Sequence, residues 1–168
     1  MNALLETPAP ETKPKTAIPA KKKILLVDDD AAIRQILVRL LQEEGYFVLT
    51  GANGVEALAL ADATHFDLVM LDLNMPVKDG WQTFEELTRK NPMLPIIVIT
   101  ARPNQLFPAL ASGVGALLEK PLDFVKLFDT VRSLLEEPDE FRQARIAGQS
   151  SLFRFIPPKT NEPEGGVA

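Results

Sequence analysis

The chain has 168 residues, 46% hydrophobic and 24% charged, which is room for one globular domain with tails and not for two. The absence of cysteine excludes a disulfide framework, a thiolate metal site and a thiol nucleophile, and fits a cytoplasmic location. The net charge of −5 is uneven, with nine basic and seventeen acidic side chains over residues 24–137, and so acidic a body suits a cation or a basic protein surface rather than DNA.

Residues 1–22 carry four of the fourteen prolines among Ala, Thr, Lys and Glu, and read as a disordered arm. No basic segment there leads into a long apolar run, so a signal peptide is not expected. No stretch of the chain is apolar for long enough to insert into a membrane. Ile24-Leu25-Leu26-Val27 then reads as a buried strand running into Asp28-Asp29-Asp30. Ile33, Ile36, Leu37, Leu40 and Leu41 follow on one helical face, with Asp30 as N-cap and Gly45 as the stop. Tyr46–Leu49 predicts a second strand, and Asn53 caps a helix carrying Val55, Leu58 and Ala59.

Leu68–Leu71 is an apolar run of strand length that ends abruptly in Asp72, with Asn74, Pro76 and Lys78-Asp79-Gly80 supplying turn chemistry. Trp81, Phe84 and Leu87 mark the next helix, 95–99 a fourth strand ending at Thr100, and 105–112 a short helix restricted by Pro103 and Pro108. Ala116–Glu119 is a fifth strand closed by Lys120-Pro121, and Phe124, Leu127, Phe128 and Val131 stripe a last helix. Residues 23–137 thus alternate strand and helix five times, which predicts an α/β domain with a five-stranded parallel sheet covered on both faces. Such a doubly wound domain is flavodoxin-like, with strand order 2-1-3-4-5. Residues 138–168 read as a flexible tail, in which Leu152-Phe153-Arg154-Phe155-Ile156 is a possible docking segment.

On that topology Asp28, Asp29, Asp72, Thr100 and Lys120 all fall at the carboxyl edge of the sheet, where open parallel sheets bind ligands. Three carboxylates in one crevice repel each other unless a cation intervenes, and oxygen donors without His or Cys point to Mg²⁺. A lysine and a hydroxyl complete a pocket for an anion on the metal. The chemistry this suggests is phosphoryl transfer to a carboxylate nucleophile. His65, the one histidine, has no role in it.

These residues resemble the receiver domain of two-component response regulators, of which the chemotaxis receiver is the familiar single-domain form. The marks are Val27-Asp28-Asp29-Asp30, Leu71-Asp72-Leu73-Asn74-Met75-Pro76 through Asp79-Gly80, Thr100-Ala101, and Lys120-Pro121. The resemblance implies Asp72 as phosphoacceptor and Asp29 as a direct Mg²⁺ ligand, with Asp28 acting through water and the Asn74 carbonyl as a further ligand. It implies that Thr100 binds and reports the phosphoryl group, that Lys120 pairs with it, and that Lys120-Pro121 is cis. The donor would be a histidine kinase or a histidine phosphotransfer protein, and the output a contact with a downstream protein through the fourth and fifth helices and strand five. One departure is Leu117, where the family usually has an aromatic switch residue. That position mildly favours a scaffold that works without phosphate. A phosphohydrolase with an aspartyl-phosphate intermediate is a further alternative, against which Asn74 stands where such enzymes carry a second Asp.

Overall fold

The structure, a computed structural model, describes residues 20–160, so the expected N-terminal arm lies outside the described residues except at its end. The first three strands are β1 (Lys23–Val27), β2 (Phe47–Gly51) and β3 (Leu68–Asp72), followed by β4 (Ile96–Thr100) and β5 (Ala116–Glu119). Each is followed by a helix: α1 (Ala31–Glu43), α2 (Gly54–Ala63), α3 (Gly80–Lys90), α4 (Leu106–Ser112) and α5 (Phe124–Leu135). All strand pairs are parallel and the order runs 2-1-3-4-5 as expected, but the sheet does not stop there.

A sixth strand, β6 (Arg154–Ile156), pairs in parallel with β5, so the five-stranded expectation is corrected to six in the order 2-1-3-4-5-6. It comes from the segment read as a flexible tail, which forms α6 (Asp139–Ile146) and a single 3₁₀ turn (Ser150–Leu152) before it reaches the sheet. The reason lies in β5. Leu117 and Leu118 would otherwise line an apolar free edge, a template for pairing. Instead Phe153 packs against the core on one side of the sheet and Ile156 against the core on the other.

Alternation along each strand divides the interior into two layers. Leu25, Val27, Val69, Leu71, Val98 and Leu117 meet α2, α3 and α4, while Ile24, Leu26, Met70, Ile97, Ile99 and Leu118 meet α1 and α5. The helical stripes turn out narrower than the periodicity predicts. In α1, Leu37 and Leu41 are buried but Ile36 is 52% exposed, and in α2 Ala57 and Leu58 face inward while Val55 and Ala59 face out. α4 tolerates Pro108 because it falls in the first turn, where the missing N–H would have no intrahelical acceptor.

The turn after β3 has an unexpected construction. Val77, not Gly80, adopts the left-handed conformation, with φ 72°. Gly80 opens α3 directly beneath the strand end, where an added Cβ would lie 2.5 Å from Leu73 Cα and 2.7 Å from the Asp72 carbonyl oxygen. That close backbone approach is what brings α3 under Asp72.

Candidate functional site

The carboxyl edge of the sheet collects the residues singled out above. Asp28 follows β1, Asp72 and Thr100 are the last residues of β3 and β4, and Lys120 follows β5. Asp28 and Asp72 are buried, at 1% and 2% exposure, and Thr100 is fully buried, whereas Asp29 and Asn74 face solvent. The Lys120-Pro121 bond is cis, as the resemblance implies.

Local hydrogen bonding explains why these carboxylates are free for a site. Helix α1 is capped by Asp30, whose carboxylate accepts from the Ala32 and Ile33 N–H groups at 2.9 and 3.1 Å. Asp28 and Asp29 therefore serve no cap. Asp28 Oδ1 accepts from the Asp30 N–H, and Asp72 Oδ1 from the Asn74 N–H, each at 2.9 Å. These two bonds orient both side chains and leave the second oxygen of each to point at Lys120. Lys120 Nζ lies 3.1 Å from Asp28 Oδ2 and 3.1 Å from Asp72 Oδ2.

The electrostatics follow from burial and charge. Burial pushes the Asp28 carboxyl above the usual carboxylate range, and the Asp72 charge adds to this; the Asp30 N–H and Lys120 offset only part. Burial would pull the Lys120 ammonium down, but the Asp72 and Asp28 carboxylates outweigh it and raise Lys120 above its ordinary value. Lys120 is therefore a fixed cation at physiological pH.

Asp28, Asp29 and Asp72 each offer one oxygen, and these oxygens lie within 4.8 Å of one another. One lysine cannot neutralise three carboxylates. An all-oxygen donor set with excess negative charge, part buried and part open, fits a hard divalent cation such as Mg²⁺.

The opposite rim was not legible in the sequence. Arg102 Nε donates to Asn74 Oδ1 at 2.6 Å and its Nη1 to Asp79 Oδ1 at 3.3 Å, so a guanidinium ties the β4–α4 loop to the β3–α3 loop. The Arg102 N–H also donates to Thr100 Oγ1 at 2.9 Å. The one available signal was its position two residues after Thr100, which by itself specifies nothing. Leu117 is wholly buried and lies beside Phe155 of β6 in register.

Comparison with known proteins bears on the family and the fold. The response regulator receiver domain model matches residues 24–132. The transcriptional regulatory protein CpxR of Klebsiella pneumoniae is 40% identical over 134 residues, covering 77% of this chain and 57% of that protein. The chain spans between 32% and 57% of the length of the curated relatives it matches. Among solved structures, a CheY-like receiver domain protein from Methanospirillum hungatei superposes with a TM-score of 0.67 and 30% identity, over 72% of this chain and 98% of that one. The response regulator TrrA of Thermotoga maritima, solved with Mg²⁺-BeF, gives a TM-score of 0.63 and 35% identity, over 67% and 98% of the two chains. The chain belongs to the response regulator receiver domain family.

Proposed function

We propose that this protein is a signalling phosphoacceptor that takes a phosphoryl group onto Asp72 from a histidine kinase or histidine phosphotransfer protein, with Mg²⁺ bound. The observation that carries this reading is the placement of Lys120 between Asp28 and Asp72, inside a cluster of oxygen donors at the sheet's carboxyl edge. A carboxylate oxygen of Asp72 attacks phosphorus as the donor's N–P bond breaks, and the released electron pair stays on the donor imidazole. Asp28, Asp29, Asp72 and the Asn74 carbonyl would hold Mg²⁺, which supplies charge neutralisation for the phosphoryl oxygens.

The other residues have roles that follow from their present bonds. Lys120 already faces Asp72 and is the cation that meets the added negative charge. The Thr100 hydroxyl oxygen accepts from the Arg102 N–H, which leaves its own proton free to donate to a phosphoryl oxygen. The acidic body supports output by contact with a basic surface of a downstream protein, although β6 covers the edge of β5 expected to take part in that contact. Among the described residues no helix is long and apolar enough to cross a membrane.

A phosphate-independent scaffold is the second reading, favoured by Leu117 at the position of the usual aromatic. Trapping with hydroxylamine separates the two. After exposure to acetyl phosphate and Mg²⁺, a phosphoacceptor yields a hydroxamate at Asp72, and a scaffold yields none.

A further inference from the structure

The C-terminal segment does more than close a sheet edge. Because β6 runs parallel to β5, its continuation heads toward the carboxyl edge, where the site lies. Phe155 and Ile156 pair with Leu117 and Leu118, and the Lys159 N–H donates to the Pro121 carbonyl at 2.9 Å. Residues 154–159 are therefore held beside the backbone at Ala116–Leu118 and again at Pro121, on both sides of Lys120. Pro157 and Pro158 between the two anchor points lack N–H donors and restrict φ, which stiffens the link from strand to loop.

The root of this strap is held separately. Glu137, in the turn between α5 and α6, accepts from Arg145 Nη2 at 2.8 Å and Nε at 3.3 Å, with both side chains buried. Arg142 and Arg154 also face the Glu137 carboxylate at 3.6 Å, and Arg145 Nη1 donates to the Gly113 carbonyl at 2.5 Å, tying α6 to the end of α4. Yet the strand itself has three residues, and Phe155 is 38% exposed. A firm root and a shallow, short strand describe an element that can pair more or less tightly without unfolding the domain.

We propose that residues 154–159 act as a positioning strap for Lys120, and that occupancy of the Asp72 site and pairing of the strap are coupled. The inference rests on the phosphoacceptor reading above. The backbone on either side of Lys120 is bonded to the strap, and its ammonium is bonded to Asp28 and Asp72. When Lys120 re-aims from the Asp28–Asp72 pair toward a phosphoryl group, the Pro121 carbonyl and the Leu117–Leu118 ladder carry the change to the strap. Linkage makes the effect reciprocal: a loosened strap weakens the site by the same factor.

The test uses the full chain, with Mg²⁺ and beryllofluoride as the phosphoryl mimic. Binding is followed by calorimetry, and amide hydrogen exchange by mass spectrometry at residues 154–159. Exchange there is expected to slow by about fivefold or more on binding, the lower end of ordinary couplings. Ile156→Asp, which sets a carboxylate against the α1–α5 core, is expected to weaken beryllofluoride binding by a similar factor. Ile156→Val should retain wild-type binding, and Glu137→Gln, which loosens the root without entering the sheet, should weaken binding in the same direction as Ile156→Asp. Wild-type binding with unchanged or faster strap exchange would overturn the coupling, as would wild-type affinity in both loosened variants. No binding by the wild type would instead remove the reading of the site, and the strap's role with it.

Discussion

Lys120 Nζ stands 3.1 Å from one oxygen of Asp28 and 3.1 Å from one oxygen of Asp72, so a single ammonium bridges the two buried carboxylates at the ends of β1 and β3. Replacing it with a neutral side chain leaves both charges buried without that partner, a loss on the order of 3 kcal/mol. Lys120→Met is therefore expected to be destabilised by about that amount at neutral pH without divalent metal. The sign with pH is fixed by Asp28. Its carboxyl holds a proton more tightly folded than unfolded, so stability rises as pH falls through its raised value and declines as pH rises. Urea denaturation at mildly acidic and neutral pH, with a chelator present, should show the variant's deficit shrinking in acid. Added Mg²⁺ should also shrink it.

Gly80→Ala tests the packing beneath Asp72. A Cβ there meets Leu73 Cα and the Asp72 carbonyl, both backbone atoms that cannot turn aside. A cost of about 2 kcal/mol in denaturation is expected, together with slower phosphoryl uptake, because α3 must withdraw from the strand end. Normal stability with normal uptake would show that α3 need not sit this close.

The Glu137–Arg145 pair predicts how the C-terminal segment responds to acid. Burial pushes the Glu137 carboxyl up, but Arg145, with Arg154 and Arg142, outweighs this and holds it below the ordinary glutamate value. A carboxyl depressed in the folded state contributes stability above its unfolded pKa and loses it as pH falls through the folded one. Hydrogen exchange in α6 and β6 should thus accelerate below the ordinary glutamate range, before exchange in the β1–β3 core does. Arg145→Ala should show the same loosening at neutral pH and cost about 3 kcal/mol, limited by the two arginines that still face Glu137.

Leu117→Tyr asks whether this position accepts the aromatic usual in the family. Leu117 is fully buried beside Phe155, and Phe153 packs against the same core layer. A larger ring is overpacked unless β6 shifts, and a destabilisation of about 1–3 kcal/mol is expected by denaturation. A neutral or stabilising outcome would mean that the space beside β5 is larger than the structure shows.

Much of this architecture could be read from local patterns. Apolar runs ending in Asp72, Thr100 or Lys120, and cap residues such as Asp30 and Asn53, carry their structural meaning within a few positions. The site was legible for the same reason, since parallel strands bring all their carboxyl ends to one edge. Strand β6 was not legible. Arg154–Ile156 is three residues long, and its partner β5 is separated from it by two helices. Helix α6 has no continuous apolar stripe, because what buries it is an ion pair between Arg145 and Glu137 across the Pro138 break. Arg102 escaped as well, since its partners Asn74 and Asp79 lie on another loop. Partnerships made at long range by polar side chains leave no periodic trace.

The most direct test of the central claim is the intact mass of the protein after exposure to acetyl phosphate with Mg²⁺, for wild type and Asp72→Ala. The account predicts the gain of a single phosphoryl group in the wild type, lost when Mg²⁺ is chelated and absent in the variant. An unmodified wild type, or an adduct that survives Asp72→Ala, would contradict it.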